Sequence, residues 1–109
     1  MCMKLVSAII RPEKASVVVE KLSEAGYNAF SKWAILGRGK QKGIQVGDVF
    51  YEEMPKNMLY LVVEEDEKDE VVDIIIHTAK SGEHGSSGDG RIFVTDIEET
   101  YTISEQLRD

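Results

Sequence analysis

Two stretches of helical period, each closed by glycine and each set between runs of β-branched residues, constrain this chain more than any other feature. In the first, Ala15, Val18, Val19, Leu22 and Ala25 recur at the spacing that lines one helix face, and Gly26 supplies the stop. Pro12 fits the first turn and Glu13 suits the positive end of the dipole, so a helix is expected over about 12–25. Met3 to Ile10 precedes it as a strand, ended by Arg11-Pro12 because the residue before proline is pushed out of the α region. Ala29 to Leu36 follows as a strand, with Trp33 packed at a sheet face or subunit contact. The second cycle repeats the order. Asn57 to Val63 reads as a strand, and Asp66 as the N-cap of a helix carrying Val71, Val72, Ile75, Ile76 and Ala79. Gly82 closes that helix, and Arg91 to Ile97 is a fourth strand.

Strand-helix-strand, long loop, strand-helix-strand predicts a single α+β domain over 1–109. The arrangement is the ferredoxin-like βαββαβ fold, a four-stranded antiparallel sheet with both helices on one face. The other face still carries apolar side chains such as Trp33 and Tyr60, and an oligomer is the economical way to bury them. A charged tail spans 99–109, where Tyr101-Thr102-Ile103 could add a short edge strand.

The net charge of −7 argues against general nucleic-acid binding, which needs a basic face. No apolar run approaches the ~18 residues of a membrane span, so membrane insertion is not expected. Met1-Cys2-Met3-Lys4 leads straight into a strand pattern rather than a signal peptide, and one cysteine cannot form an internal disulfide. A cytoplasmic location is expected. Acidic groups gather at Glu64-Glu65-Asp66-Glu67, Asp69-Glu70 and Glu98-Glu99, which leaves positive potential local to residues 38–42. That pattern suits a small anion better than a polyanion.

Those residues open the long loop of 37–55. Gly37-Arg38-Gly39-Lys40-Gln41-Lys42-Gly43 sets glycines that permit close backbone approach beside cations suited to phosphate. A stretch of that length without a period is usually functional or disordered. Val46, Val49, Phe50 and Tyr51 could form a hairpin arm at its tip or dock it on a partner. Residues 82–90, GEHGSSGDG, form a second glycine-rich loop, and 82–91 reads as a phosphate loop. A Gly-Lys loop taken alone is more often a solvated turn, and His77 is more often a surface residue than a ligand.

Four motifs together carry a family resemblance over nearly the whole chain: Ile9-Ile10-Arg11-Pro12, Gly37 through Gly43, Pro55-Lys56, and Gly88-Asp89-Gly90-Arg91-Ile92-Phe93-Val94. The chain closely resembles the PII nitrogen-regulatory signal-transduction proteins. With Gly47-Asp48-Val49 and Tyr51-Glu52-Glu53-Met54-Pro55 in a compact loop, it looks like the nitrogen-fixation branch that controls nitrogenase. The resemblance implies a non-enzymatic homotrimer with ATP or ADP in clefts between subunits, and 2-oxoglutarate binding beside Mg-ATP. A target, nitrogenase or another nitrogen-metabolism protein, would be bound through residues 37–55.

Carried over by motif, Gly37, Arg38, Gly39, Lys40 and Gln41 would line the nucleotide cleft. Gln41 would reach the Mg and 2-oxoglutarate, and Lys56 would pair with a 2-oxoglutarate carboxylate. Gly88, Asp89, Gly90 and Arg91 would hold the phosphates, Ile9, Ser31 and Val62 would surround the adenine, and Phe93 would form a cleft wall.

Two departures bear on affinity. Glu83-His84-Gly85-Ser86-Ser87 makes the second glycine loop about three residues longer than the family pattern, and its polar groups could either bond phosphate or displace the loop. The C-terminal segment normally brings arginine to the phosphates, but Tyr101-Thr102-Ile103-Ser104 has none, and Arg108 is displaced. Losing one charge-assisted contact removes roughly 1.5–3 kcal/mol. Tyr51 lies in the loop that is uridylylated in some relatives, without a secure match. Two alternatives remain: a trimeric PII-like protein for another small anion, and a small phosphohydrolase of the same fold resting on Arg38, His77 and His84. The latter lacks a paired acid and base or an activated nucleophile at motif spacing.

Overall fold

The computed structural model describes residues 2–41, 50–104 and 107–108, with side chains described outside 39–41, 50–52 and 107–108. Strand β1, Met3–Ile10, alternates between faces, and Val6, Ala8 and Ile10 point into the core. Helix α1, Pro12–Glu24, starts with proline in its first turn and buries Ala15, Val18 and Leu22. It ends as its period predicts: Gly26 takes φ +98° and the Tyr27 amide donates back to the Leu22 carbonyl at 2.8 Å.

Strand β2, Ser31–Gln41, and strand β3, Phe50–Glu64, form an antiparallel pair. Helix α2, Lys68–Ala79, buries Val71, Ile75 and Ala79. Its entry differs from the Asp66 cap expected from sequence. Glu65–Glu67 form a 3-10 turn, and the Glu67 carboxylate accepts from the Glu64 amide at 3.0 Å. A glutamate three residues on reaches back to the amide that opens the turn, so Asp66 is left exposed within it. Strand β4, Gly90–Ile97, completes the sheet in the order β2-β3-β1-β4, all neighbours antiparallel. This is the ferredoxin-like arrangement.

The core lies between the sheet and the two helices, where Leu22, Leu59 and Ile75 are fully buried. Each contributes about 1.5–3 kcal/mol of burial. The other face of the sheet is uncovered in the single chain: Trp33, Tyr60, Val62 and Phe93 are 40–49% exposed. The Trp33 and Tyr60 rings lie tilted together there, with centroids 5.4 Å apart.

The sequence reading of 37–55 as a stretch without regular structure is corrected in part. β1 pairs with β3 only over Asn57 to Glu64, whereas β2 follows β3 on to Gln41 opposite Phe50. Residues 50–56 therefore pair on one side only, making a two-stranded arm about 20–24 Å long at the usual strand rise. The ladder is a backbone feature that glycine and lysine can join, so side-chain propensity conceals it. Pro55, opposite Leu36, sits where β3 has one free flank, the setting in which a strand accepts proline. Lys42, Gly43, Val46 and Gly47-Asp48-Val49 lie outside the described residues.

The C-terminal expectation also changes. β5, Tyr101–Thr102, pairs with β6, Leu107–Arg108, as a separate two-stranded piece rather than joining the edge of the main sheet.

Candidate anion site at the root of the arm

Three segments converge where the arm leaves the sheet. Ile10 ends β1 and is flanked by Asn57 of β3 and Gly90 of β4. Gly90 fits there because it lacks a side chain. Its φ is +125°, and a Cβ would lie 1.8 Å from the Ile9 carbonyl oxygen. Gly88, at φ +95°, passes under the Arg11 guanidinium, where a Cβ would sit 3.1 Å from Nη2.

Between these glycines, the Asp89 side chain turns inward. Its Oδ1 accepts from Arg11 Nε at 3.1 Å and from the Ser81 hydroxyl at 2.6 Å. Its Oδ2 accepts from the Ser81 amide at 3.0 Å and the Ser86 amide at 2.7 Å. Burial pushes the Asp89 carboxyl up, but the Ser81, Ser86 and Arg11 donors together outweigh it and hold the group below the ordinary carboxylate range. Arg11 also donates from Nη2 to the Ser87 carbonyl at 3.0 Å.

From the arm side, Lys56 crosses Gly37, where an added Cβ would lie 3.1 Å from the lysine Cγ, and its ammonium donates to the Gly88 carbonyl. Burial and the neighbouring Arg11 charge lower the Lys56 pKa, partly offset by Glu13 and Asp89. A cation partly withdrawn from water beside a glycine-rich backbone is suited to an anion.

Of the residues named from sequence, Gly37, Lys56, Gly88, Asp89 and Gly90 come together here, and Arg91 follows at once, opposite Ile9. Ile9, Ser31, Val62, Arg91 and Phe93 share the uncovered sheet face by register. They do not form one cluster. Ser31 and Phe93 occupy the same cross-strand row but on opposite edge strands, with Tyr60 and Ser7 between them, about 14 Å apart. Arg38 is exposed on the arm. Gly39, Lys40 and Gln41 are placed by backbone register opposite Glu52, Tyr51 and Phe50, and the side chains of Lys40 and Gln41 lie outside those described.

All acceptor positions of the Asp89 carboxylate are taken within the chain, so this side chain organises the loop. Arg11 belongs to the Ile9-Ile10-Arg11-Pro12 motif, but the sequence assigns it no role. The available signal is an arginine directly before a helix, in a chain whose glycine loop sets one acid, Asp89, between two glycines.

His77 is exposed on α2, with Nδ1 2.8 Å from the carbonyl of Asp73 one turn earlier. Among the described residues, no group of three or more His, Cys, Asp or Glu side chains is gathered for a metal. None of the described helices is long and apolar enough to cross a membrane. At the C-terminus, the register sets Arg108 opposite Tyr101, the stretch where the expected arginine is missing.

Comparison with known proteins agrees with this architecture. The chain is 48% identical over 101 residues, 93% of each protein, to the nitrogen fixation nifHD region GlnB-like protein 1 of Methanococcus maripaludis. It is 50% identical over 102 residues, 94% of each, to the nifHD2 region GlnB-like protein 1 of Methanosarcina barkeri. Its fold matches B. subtilis GlnK, solved as an ATP complex, with a TM-score of 0.82 at 24% identity, covering 98% of this chain and 92% of that one. The profile of the family described as nitrogen regulatory protein P-II matches residues 3–106, and the chain belongs to that family.

Proposed function

We propose that this chain is a ligand-sensing regulator of nitrogen metabolism. It works as a homotrimer that takes ATP or ADP in clefts between copies, with Mg and 2-oxoglutarate beside ATP. It controls a nitrogenase-type target through residues 37–55. The observation that carries this reading is the root of the arm, where Lys56 links Gly37 and the Gly88 carbonyl. An anion bound there meets the glycine loop and the base of the arm together, so occupancy can bias the arm between conformations by its differential affinity for them.

Family membership supports the regulatory role. The names of the GlnB-like relatives refer to nitrogen-fixation regions, which points to a nitrogen-fixation target. The GlnK of the same fold was solved with ATP, which makes ATP the first ligand to try. The exposed Trp33, Tyr60, Val62 and Phe93 favour a trimer packed through the open sheet face. In such an assembly, Ser31 and Phe93 on opposite sheet edges would serve different clefts. With the Asp89 carboxylate engaged, Mg would be held chiefly by phosphate oxygens, with Gln41 the protein group assigned to it. A phosphohydrolase is less well supported, because His77 is bonded within its own helix.

Calorimetry with ATP, ADP and Mg-ATP plus 2-oxoglutarate tests the reading, alongside trimer mass by light scattering. Wild-type protein should bind nucleotide. Arg91→Ala should lose about one to two decades of ATP affinity at unchanged mass, the worth of one charge-assisted phosphate contact. No heat with any nucleotide at high micromolar protein would overturn the proposal.

A further inference from the structure

The glycine loop is folded back onto the chain by Asp89 within it and Arg11 beside it. The Ser86 amide donates to Asp89 Oδ2 at 2.7 Å, and the Asp89 amide donates to the Ser86 carbonyl at 3.1 Å, closing a tight turn. The Ser87 carbonyl is held by Arg11, and Ser81 fixes the other end of the loop to the same carboxylate. The Arg11 and Asp89 side chains are only 23% and 18% exposed, so their pairing is shielded from water.

We infer that Arg11 and Asp89 are a positioning pair for the anion site: they hold Ser86–Gly90 so that the glycine backbone faces the ligand, while neither side chain touches it. This rests on the nucleotide reading above. Pairing also cancels the Asp89 charge. Without Arg11, a carboxylate would remain beside the anion and repel it. Charge toward the anion is then left to other cations at the root of the arm, Lys56 and Arg91 among them.

The opposite assignment, Arg11 as a direct phosphate ligand, gives the opposite sign in one variant. Asp89→Asn removes the carboxylate that competes for Arg11. A direct ligand would then be freed and ATP would bind more tightly. A positioning pair would lose its anchor, because the Asn amide cannot accept from the donors that Asp89 serves on both oxygens, and ATP should bind about tenfold more weakly.

The test is an ATP calorimetric cycle of wild type, Arg11→Gln, Asp89→Asn and the double variant, each well below its melting temperature. Amide hydrogen exchange across 86–90 is measured without ligand. The pair predicts weaker binding in both single variants, a double variant no worse than Arg11→Gln, and faster exchange confined to 86–90. Arg11→Lys should restore part of the affinity, since it keeps the charge but not the fork that reaches both Asp89 and Ser87. Wild-type or tighter affinity in Asp89→Asn, additive losses in the double variant, or unchanged exchange would overturn the inference. Silence of the wild type toward every nucleotide fails the underlying reading instead, and is seen before any variant is made.

Discussion

The glycine loop and the arm look alike in sequence, both rich in glycine and both without hydrophobic period, yet they are ordered by opposite means. The loop is held by side chains. Asp89 and Arg11 bond its backbone, Ser81 donates to the Asp89 carboxylate, and Gly85, Gly88 and Gly90 take positive φ within it. The arm is held by main chain, through a ladder that runs from Gly37 opposite Met54 to Gln41 opposite Phe50. Beyond Lys56 at its root, its described side chains Arg38, Glu53, Met54 and Pro55 are exposed. Order that rests on a few specific bonds is lost at single residues. A ladder without burial can open by stages and leave the core untouched. A fixed loop beside a deformable arm is a division of labour suited to a sensor.

The contrast is sharpest at Gly90. Placing alanine there puts a Cβ at 1.8 Å from the Ile9 carbonyl oxygen in a backbone with φ +125°. The clash is with central strand β1 rather than with a flexible side chain, so β4 must move. Gly90→Ala should cost about 3 kcal/mol or more and lower Tm by more than ten degrees, or prevent soluble folding. Melting near the wild-type temperature would mean that β4 yields easily and that the loop is not rigidly anchored.

The division between the regions also sets what the sequence disclosed. Helical period and strand composition specified β1, α1, β4 and the core half of β3 over 57–63 closely, because those parts bury one face and their residues repeat accordingly. None of the described side chains of the arm is buried, and it is its main-chain ladder that the structure shows, a feature no side-chain period marks. Asp66 does not cap α2 because a 3-10 turn over Glu65–Glu67 precedes the helix, and the Glu67 carboxylate reaches back three residues to the Glu64 amide that opens that turn. At the site, glycine and cation spacing marked backbone segments that meet at the root of the arm, and Lys56 came with the family resemblance. Spacing gave no role to Arg11 and no direction to the Asp89 side chain, since inward bonding to Ser81 and Ser86 depends on how a loop closes, which pairwise spacing does not encode.

The second prediction titrates the loop. Asp89 has a folded pKa below its unfolded value, so its stabilisation is present above about pH 4 and is lost as pH falls toward the folded pKa. Burial opposes this, but the donors from Ser81, Ser86 and Arg11 prevail. Wild-type protein should therefore lose stability between pH 4 and pH 2 more steeply than Asp89→Asn, which has no charge to lose there. At pH 7 the variant should be about 1.5–3 kcal/mol less stable by chemical denaturation, and the gap should narrow in acid. Equal gaps at both pH values would show that the carboxylate charge does not hold the loop.

The smallest effect belongs to the arm. Successive amides along a strand point to opposite sides, so the double variant Gly39→Pro/Lys40→Pro removes one donor facing β3 whichever way the ladder is phased. The same change in a central strand would unfold the sheet. Here β3 has no second neighbour among the described residues, and none of the arm's described side chains belongs to the core, so the cost should stay local. Tm should fall by no more than about 2–4 degrees, while limited proteolysis across 37–55 becomes faster and cleavage elsewhere does not. A large fall in Tm would mean that the arm carries part of the fold's stability. The loop and the arm would then be one cooperative unit, and ligand binding at the loop could not reshape the arm without straining the core.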